Sequence, residues 1–204
     1  ARGRREREVR NALALYKWHL VGTSLSWFLF DVDFYANGLF NHAVVAALLP
    51  PSARPRLAAA RNGLLVALLA LPGYFLAILK VEAVGRRNLQ LGGFVAMAAL
   101  FGLVAALLPS LAPFVGRSEV GGGGAAAETG NGGGGWRAPV LFVLYGLTFL
   151  CSNFGPNVTT YMIAAEIYPT EVRATCHGVS AAAGKLGAAL AARAFPRLLA
   201  LGAA

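Results

Sequence analysis

The sequence predicts an all-α membrane protein with five transmembrane helices, and three observations carry that reading. Hydrophobic residues make up 57% of the 204 positions and charged residues 13%, with a mean hydropathy of +0.59. A soluble domain of this size needs more charge to cover its surface. The apolar residues also fall in long blocks with sharp polar borders: residues 62–79, 88–116 and 138–165 hold no charge. A bilayer core of roughly 30 Å takes about 20 apolar residues as helix, so each block can span or nearly span it. Finally, the net charge of +9 sits in segments between the blocks. Basic loops placed this way report membrane topology and argue against a nucleic-acid partner.

Residues 1–17 are a basic stretch of helix formers, read as a cytosolic arm or the end of a longer internal loop. The first span runs from about 18 to 40. Pro50, Pro51 and Pro55 forbid a continuous helix beyond it. The second span covers about 62–81 and ends in a short basic turn. The third covers about 89–108 and is closed by Pro109 and Pro113. Residues 117–137 are glycine-rich and hold no core-forming pattern, so they read as a disordered linker. The fourth span, about 138–165, is interrupted near Gly155-Pro156, and the fifth covers about 174–195. Ten basic residues on one set of loops against five on the other put the N-terminal arm in the cytosol. Two cysteines, Cys151 and Cys176, in or beside apolar segments do not form a disulfide framework, and no metal-ligand spacing occurs.

Charge at membrane depth costs about 2.5–3.5 kcal/mol or more, so each instance needs a reason. Asp31 lies midway along the first span, and Trp27, Asp31 and Tyr35 repeat every four residues on one helix face. An indole donor, a carboxyl group and a phenol together suit an oxyanion once the carboxyl is protonated. The plainer reading is that Asp31 pairs with a neighbouring helix, and both stand at this point. Lys185, flanked by Gly184 and Gly187, is the twelfth residue of the fifth span. That depth disfavours snorkelling to the interface, and the small neighbours favour close helix packing. A lysine in an aqueous cavity is a good point charge for phosphate. Asn153-Phe-Gly-Pro-Asn157 breaks the fourth span, where freed backbone groups are tolerated if they line a cavity. Asn157 adds an amide donor beside the break. Asp33 points about 200° away from Asp31 and receives no role. His19 and His42 read as interfacial and His177 as structural.

These motifs resemble a known family. Gly22-Thr-Ser-Leu-Ser-Trp27-Phe-Leu-Phe-Asp31-Val-Asp-Phe-Tyr35 resembles the seventh span of plant and fungal phosphate:proton symporters, within the major facilitator superfamily. Asn153-Phe-Gly-Pro-Asn157 is similar to their tenth span. The run from Ala165-Glu166 through Arg173 and Cys176-His177-Gly178 to Gly184-Lys185 is similar to their tenth–eleventh loop and eleventh span. Glu82-Ala-Val-Gly85-Arg86-Arg87 is a variant of the superfamily's loop motif. The resemblance implies five helices of a C-terminal six-helix bundle, incomplete, with the family's first six spans and its twelfth absent. It also implies a phosphate site carried by Trp27, Asp31, Tyr35, Asn157 and Lys185.

The expected function is therefore secondary transport of inorganic phosphate coupled to protons, as part of a larger protein in the plasma membrane. Asp31 is the expected proton-coupling group and no cofactor is called for. The expected partners are phosphate, protons, the lipid bilayer and an N-terminal half. Glu82, Gly85, Arg86, Arg87, Glu166 and Arg173 are expected to latch the cytosolic helix ends and to affect gating. Two other readings stay open: a non-transporting phosphate sensor or half-protein, and a major facilitator carrier for another small solute. No nucleophile–base pair supports an enzyme.

Overall fold

A computed structural model of the chain describes residues 2–48, 55–107 and 137–202. The described residues form six helices: α1 (Arg2–Leu48), α2 (Pro55–Val84), α3 (Arg86–Leu107), α4 (Arg137–Phe154), α5 (Pro156–Glu166) and α6 (Thr170–Gly202). No strand occurs among the described residues. The prolines at 50, 51, 109 and 113, and all of the glycine-rich stretch except Arg137, lie outside them.

The residues expected to form the basic arm and the first span lie on one helix of 47 residues. Nothing between Gly3 and Gly22 breaks helical geometry, and the Arg, Glu, Ala and Leu that fill this stretch all favour it. At 1.5 Å per residue α1 is roughly 70 Å long, more than twice a bilayer core. Helix α2 opens at Pro55, where a missing N–H leaves no bond unmade. It reaches α3 through Gly85 at φ +85°. Gly85 donates its N–H to the Val81 carbonyl at 3.0 Å, and its own carbonyl accepts from Leu89 at 3.0 Å. The left-handed conformation is why a glycine stands between two helices with no further loop.

The interruption between α4 and α5 falls at Gly155, with Pro156 opening the next helix. The Gly155 N–H still bonds the Cys151 carbonyl at 3.0 Å. Its own carbonyl accepts from the Thr159 hydroxyl at 2.9 Å. The two halves therefore continue as one broken rod. α3 crosses this break in close contact. A Cβ on Gly155 would stand 2.8 Å from Gly93 Cα, and a Cβ on Gly93 would strike the Pro156 ring. Two glycines let the backbones touch, the usual device for helices that pack without a strong hydrophobic drive.

Elsewhere α2 lies along α4 and α1 along α6. Gly73 of α2 rests on the Leu150 carbonyl, and Gly146 of α4 makes room for Leu69. Asn153 donates its amide to the Ala70 carbonyl at 3.1 Å across the same pair. Near the start of α6, Tyr168, Val172 and Cys176 bury themselves against Leu13, Tyr16 and Leu20 of α1. Thr23 joins them by hydroxyl contacts to Tyr168 at 2.6 Å and Ser180 at 2.8 Å.

The interior mixes Thr, Ser, Asn and Asp31 with Ala, Tyr, Val, Leu89, Phe30 and Met97, while Leu79, Ile78, Val95 and Leu186 are each more than two-thirds exposed. Among the described residues two helical stretches, Gly63–Val84 and Arg86–Leu107, are long and apolar enough to cross a membrane. α1 carries Asp31 and Asp33 in its middle, α4 and α5 are divided at Gly155, and α6 is rich in Ala and Gly with Lys185 at its centre. Each of these features lowers the apolar signal of its helix.

The glycine crossing gives a controlled comparison. Gly93→Val should lower stability by about 1–3 kcal/mol through overpacking against Pro156. Gly92→Val, where no atom lies within 4 Å of an added Cβ, should be nearly neutral. Thermal unfolding in detergent reads both, and equal midpoints would show that α3 does not pack at Gly93.

Candidate functional site

Three helices bring polar side chains to one cavity of about 220 Å³. α1 contributes Trp27, Asp31 and Tyr35 from a single face, α5 contributes Asn157, Thr160 and Tyr161 from its first turns, and α6 contributes Lys185. Phe30 and Phe34 supply apolar wall.

Asp31 is 4% exposed although it lies deep in an apolar helix. Its Oδ2 accepts from Lys185 Nζ at 3.1 Å. The same ammonium donates to the Tyr35 hydroxyl at 3.2 Å. Asp31 and Tyr35 thus occupy two of its three N–H donors. The lysine side chain is 64% exposed, against 5% for the aspartate. Solvent therefore reaches one partner and not the other, which makes the ammonium the exchangeable member of the pair.

Trp27 is seated by the absence of a side chain opposite it. A Cβ on Gly184 would strike the indole at Cδ1, lie 2.8 Å from its Nε1 and 3.0 Å from Asp31 Oδ2. One residue before Lys185, glycine lets α1 press the indole and the carboxylate against α6. His177 and Tyr161 close round the indole edge-on, with ring centroids 5.3 and 6.3 Å from it and 4.8 Å from each other. No described residue accepts a bond from the indole N–H.

Asn157 sits beside the helix break, but both of its amide hydrogens are engaged. One goes to the Tyr74 hydroxyl at 2.7 Å and one to Asn153 Oδ1 at 2.8 Å. With the Asn153–Ala70 bond they form a line of polar contacts from α2 through the broken helix to the cavity wall. Tyr74, Thr160, Tyr161 and His177 were not singled out by sequence reasoning as site residues. Pro72-Gly73, just before Tyr74, is a sequence signal that could have marked this position on α2.

The loop-motif residues form a separate cluster at the ends of α2, α3 and α5. Arg86 donates to Glu82 through Nη1 and Nη2, both at 2.8 Å. It also reaches Glu166 through Nε at 3.0 Å and Nη2 at 3.3 Å. One guanidinium therefore ties three helix ends together, and Gly85 makes the turn that presents it. Arg87 lines a neighbouring cavity of about 640 Å³ with Trp18, His19, Gln90 and Glu166. Arg173 stands apart from the cluster, donating from Nε to the Tyr168 carbonyl at 3.0 Å. Among the described residues no group of His, Cys, Asp and Glu has the arrangement of a metal site.

Known proteins share this pattern. A family described as sugar (and other) transporter matches residues 33–202. Inorganic phosphate transporter 1-6 of Oryza sativa subsp. japonica is 39% identical over 83% of the chain and 30% of its own length. Inorganic phosphate transporter 1-1 of Arabidopsis thaliana is 35% identical over 87% of the chain and 31% of its own length. A low affinity inorganic phosphate transporter 1 of Petunia hybrida is 34% identical over 87% of the chain and 31% of its own length. The chain thus spans about a third of the length of these relatives. With the match covering most of its helices, the chain belongs to the sugar (and other) transporter family of the major facilitator superfamily.

Proposed function

We propose that the chain forms the C-terminal half of a proton-coupled inorganic phosphate transporter, with five membrane spans: α1, α2, α3, the α4–α5 pair and α6. The observation that supports this most directly is the Asp31–Lys185–Tyr35 cluster, open to a cavity beside an unengaged indole donor. Likeness to relatives named as phosphate transporters points the same way. The remaining ligands come from an N-terminal half, and the protein works in the plasma membrane with its arm in the cytosol. It carries solute and performs no enzymatic conversion.

The geometry suggests an exchange of partners. In the empty pocket, Asp31 and Lys185 neutralise one another. An entering phosphate takes the exposed ammonium and accepts from the Trp27 indole and the Tyr35 hydroxyl. Asn157 joins by turning its amide from Tyr74. Asp31 is then left beside an anion without its countercharge. Two unit charges 4 Å apart repel by about 4 kcal/mol at an effective dielectric of 20. That is roughly three orders of magnitude in affinity, enough to make phosphate binding conditional on protonation of Asp31. Loss of this proton toward the cytosol returns Lys185 to Asp31 and releases phosphate. The Arg86 cluster, which does not line the pocket, holds the cytosolic helix ends in one of two arrangements and governs turnover.

In the full-length transporter, Lys185→Ala should weaken phosphate binding at least tenfold, about 1.4 kcal/mol. Equilibrium binding of radiolabelled phosphate measures this, and unchanged affinity removes Lys185 from the site. Asp31→Asn should keep phosphate exchange but lose uptake driven by a proton gradient in proteoliposomes. Full proton-driven uptake by that variant would sink the coupling role. Reversing Arg86 to Glu should reduce turnover with little change in affinity, and adding Glu166→Arg should restore part of it. A loss of affinity with normal turnover would place the cluster in substrate contact.

A further inference from the structure

Among the described residues, Thr160 alone lines both cavities. On one side stands the pocket of Asp31, Tyr35 and Lys185. On the other is the larger cavity of about 640 Å³, which reaches Arg86, Arg87 and Glu166 at the helix ends. Neighbours on α1 divide in the same way, Ser26 with the larger cavity and Trp27 with the pocket. The two spaces therefore adjoin at the second turn of α5, and a solute moving from one to the other passes this side chain.

Hydroxyls on these helices share a habit from which Thr160 departs. Thr23, Ser26, Thr159 and Ser180 each donate to the carbonyl four residues back, at 2.7–3.0 Å. That bond satisfies a hydroxyl in an apolar helix and spends its hydrogen. Thr160 is only 4% exposed. Its Oγ1 accepts from the Gln90 amide of α3 at 3.1 Å. A hydroxyl has one hydrogen to give, and no described residue accepts the one on Thr160. Gln90 lines the larger cavity and keeps a second amide hydrogen that is likewise unclaimed among the described residues. One turn earlier, Asn157 has both amide hydrogens engaged. The bond from α3 thus leaves two donor hydrogens at the junction of the cavities. A buried donor calls for an acceptor, and an ionised oxygen is the strongest one available to it.

We propose that Thr160 is a phosphate contact on the route between the two cavities, and that Gln90 positions its hydroxyl for that contact. This role rests on the phosphate reading and adds the path by which the anion leaves the pocket. Phosphate released from Lys185 exchanges that ammonium for the Thr160 hydroxyl, then for the second Gln90 amide hydrogen, and enters the larger cavity toward the helix ends. A contact made in passing lowers the barrier between two sites and leaves the occupied pocket as it was. It acts on rate more than on affinity.

The test is phosphate uptake by the full-length transporter in proteoliposomes, beside equilibrium binding of radiolabelled phosphate. Thr160→Val keeps the shape of the side chain and removes its hydroxyl. It should slow uptake about tenfold or more, the worth of one hydrogen bond to a charged group, and hold affinity within about threefold of the parent. Thr160→Ser, which returns the hydroxyl, should recover most of that rate. Parental uptake by Thr160→Val overturns the proposal, and so does a loss of affinity as large as the loss of rate. Adding Gln90→Leu to Thr160→Val separates contact from scaffolding. If the bond only held α3 against α5, replacing both partners by apolar groups would be nearly neutral. Uptake would then return toward the parent and the proposal would fall, whereas uptake as slow as in Thr160→Val supports it. Should Thr160→Val not fold, Gln90→Leu alone carries the test: slowed uptake with parental affinity is expected, and parental uptake overturns the proposal. Failure of the phosphate reading appears differently, as absent phosphate binding by the parent itself.

Discussion

The approach of α6 to α1 at Gly184 and Gly187 is the constraint from which the pocket follows. A side chain at Gly187 would run into the Phe28 carbonyl, and one at Gly184 into the Trp27 indole. With both positions bare, the two helices lie close enough for a carboxylate on one to reach an ammonium on the other. Move them apart by the width of a methyl group and Asp31 becomes an unpaired buried acid, a far costlier arrangement than a 3.1 Å pair. The site exists because two residues have no side chains.

The same economy of side chains recurs where α3 crosses the helix break and where α2 lies along α4. Gly93 faces Gly155, Gly73 faces the Leu150 carbonyl, and Gly146 faces Leu69. Where water does not drive apolar groups together, contact area and hydrogen bonds must hold the helices. Small residues provide the first, and Thr23, Asn37, Thr148 and Asn153 the second. Large side chains such as Ile78 and Val95 are then free to face outward. The broken helix fits this scheme, since Asn153 and Asn157 link it to α2 through Ala70 and Tyr74.

Much of this was legible in the sequence, for a physical reason. Asp31 and Lys185 are charges inside apolar runs, and Asn157 follows a Gly-Pro break, so each stands out without any knowledge of neighbours. Trp27 and Tyr35 were reached through their spacing from Asp31. Tyr74, Thr160, Tyr161 and His177 are unremarkable where they occur, and only packing brings Thr160 and Tyr161 to the cavity and Tyr74 and His177 against its lining. Spacing likewise could not reveal that the Asn157 amide is engaged, or that Arg173 turns to a carbonyl while Arg86 takes both glutamates. The division near residue 17 follows a change in composition, and the helix runs through it because no breaker or cap stands there.

That continuity gives α1 a mechanical character. From Arg2 to Leu48 it holds no proline and no interruption. A rod of this kind turns and tilts as one body. Trp27, Asp31 and Tyr35 lie beyond its midpoint, while its basic first turns precede the contacts that begin at Leu13 in the cluster round Tyr168. A torque applied to those turns, by a bound headgroup or a neighbouring protein, would arrive at the carboxylate as rotation of the whole face. The arm is a handle attached to the pocket.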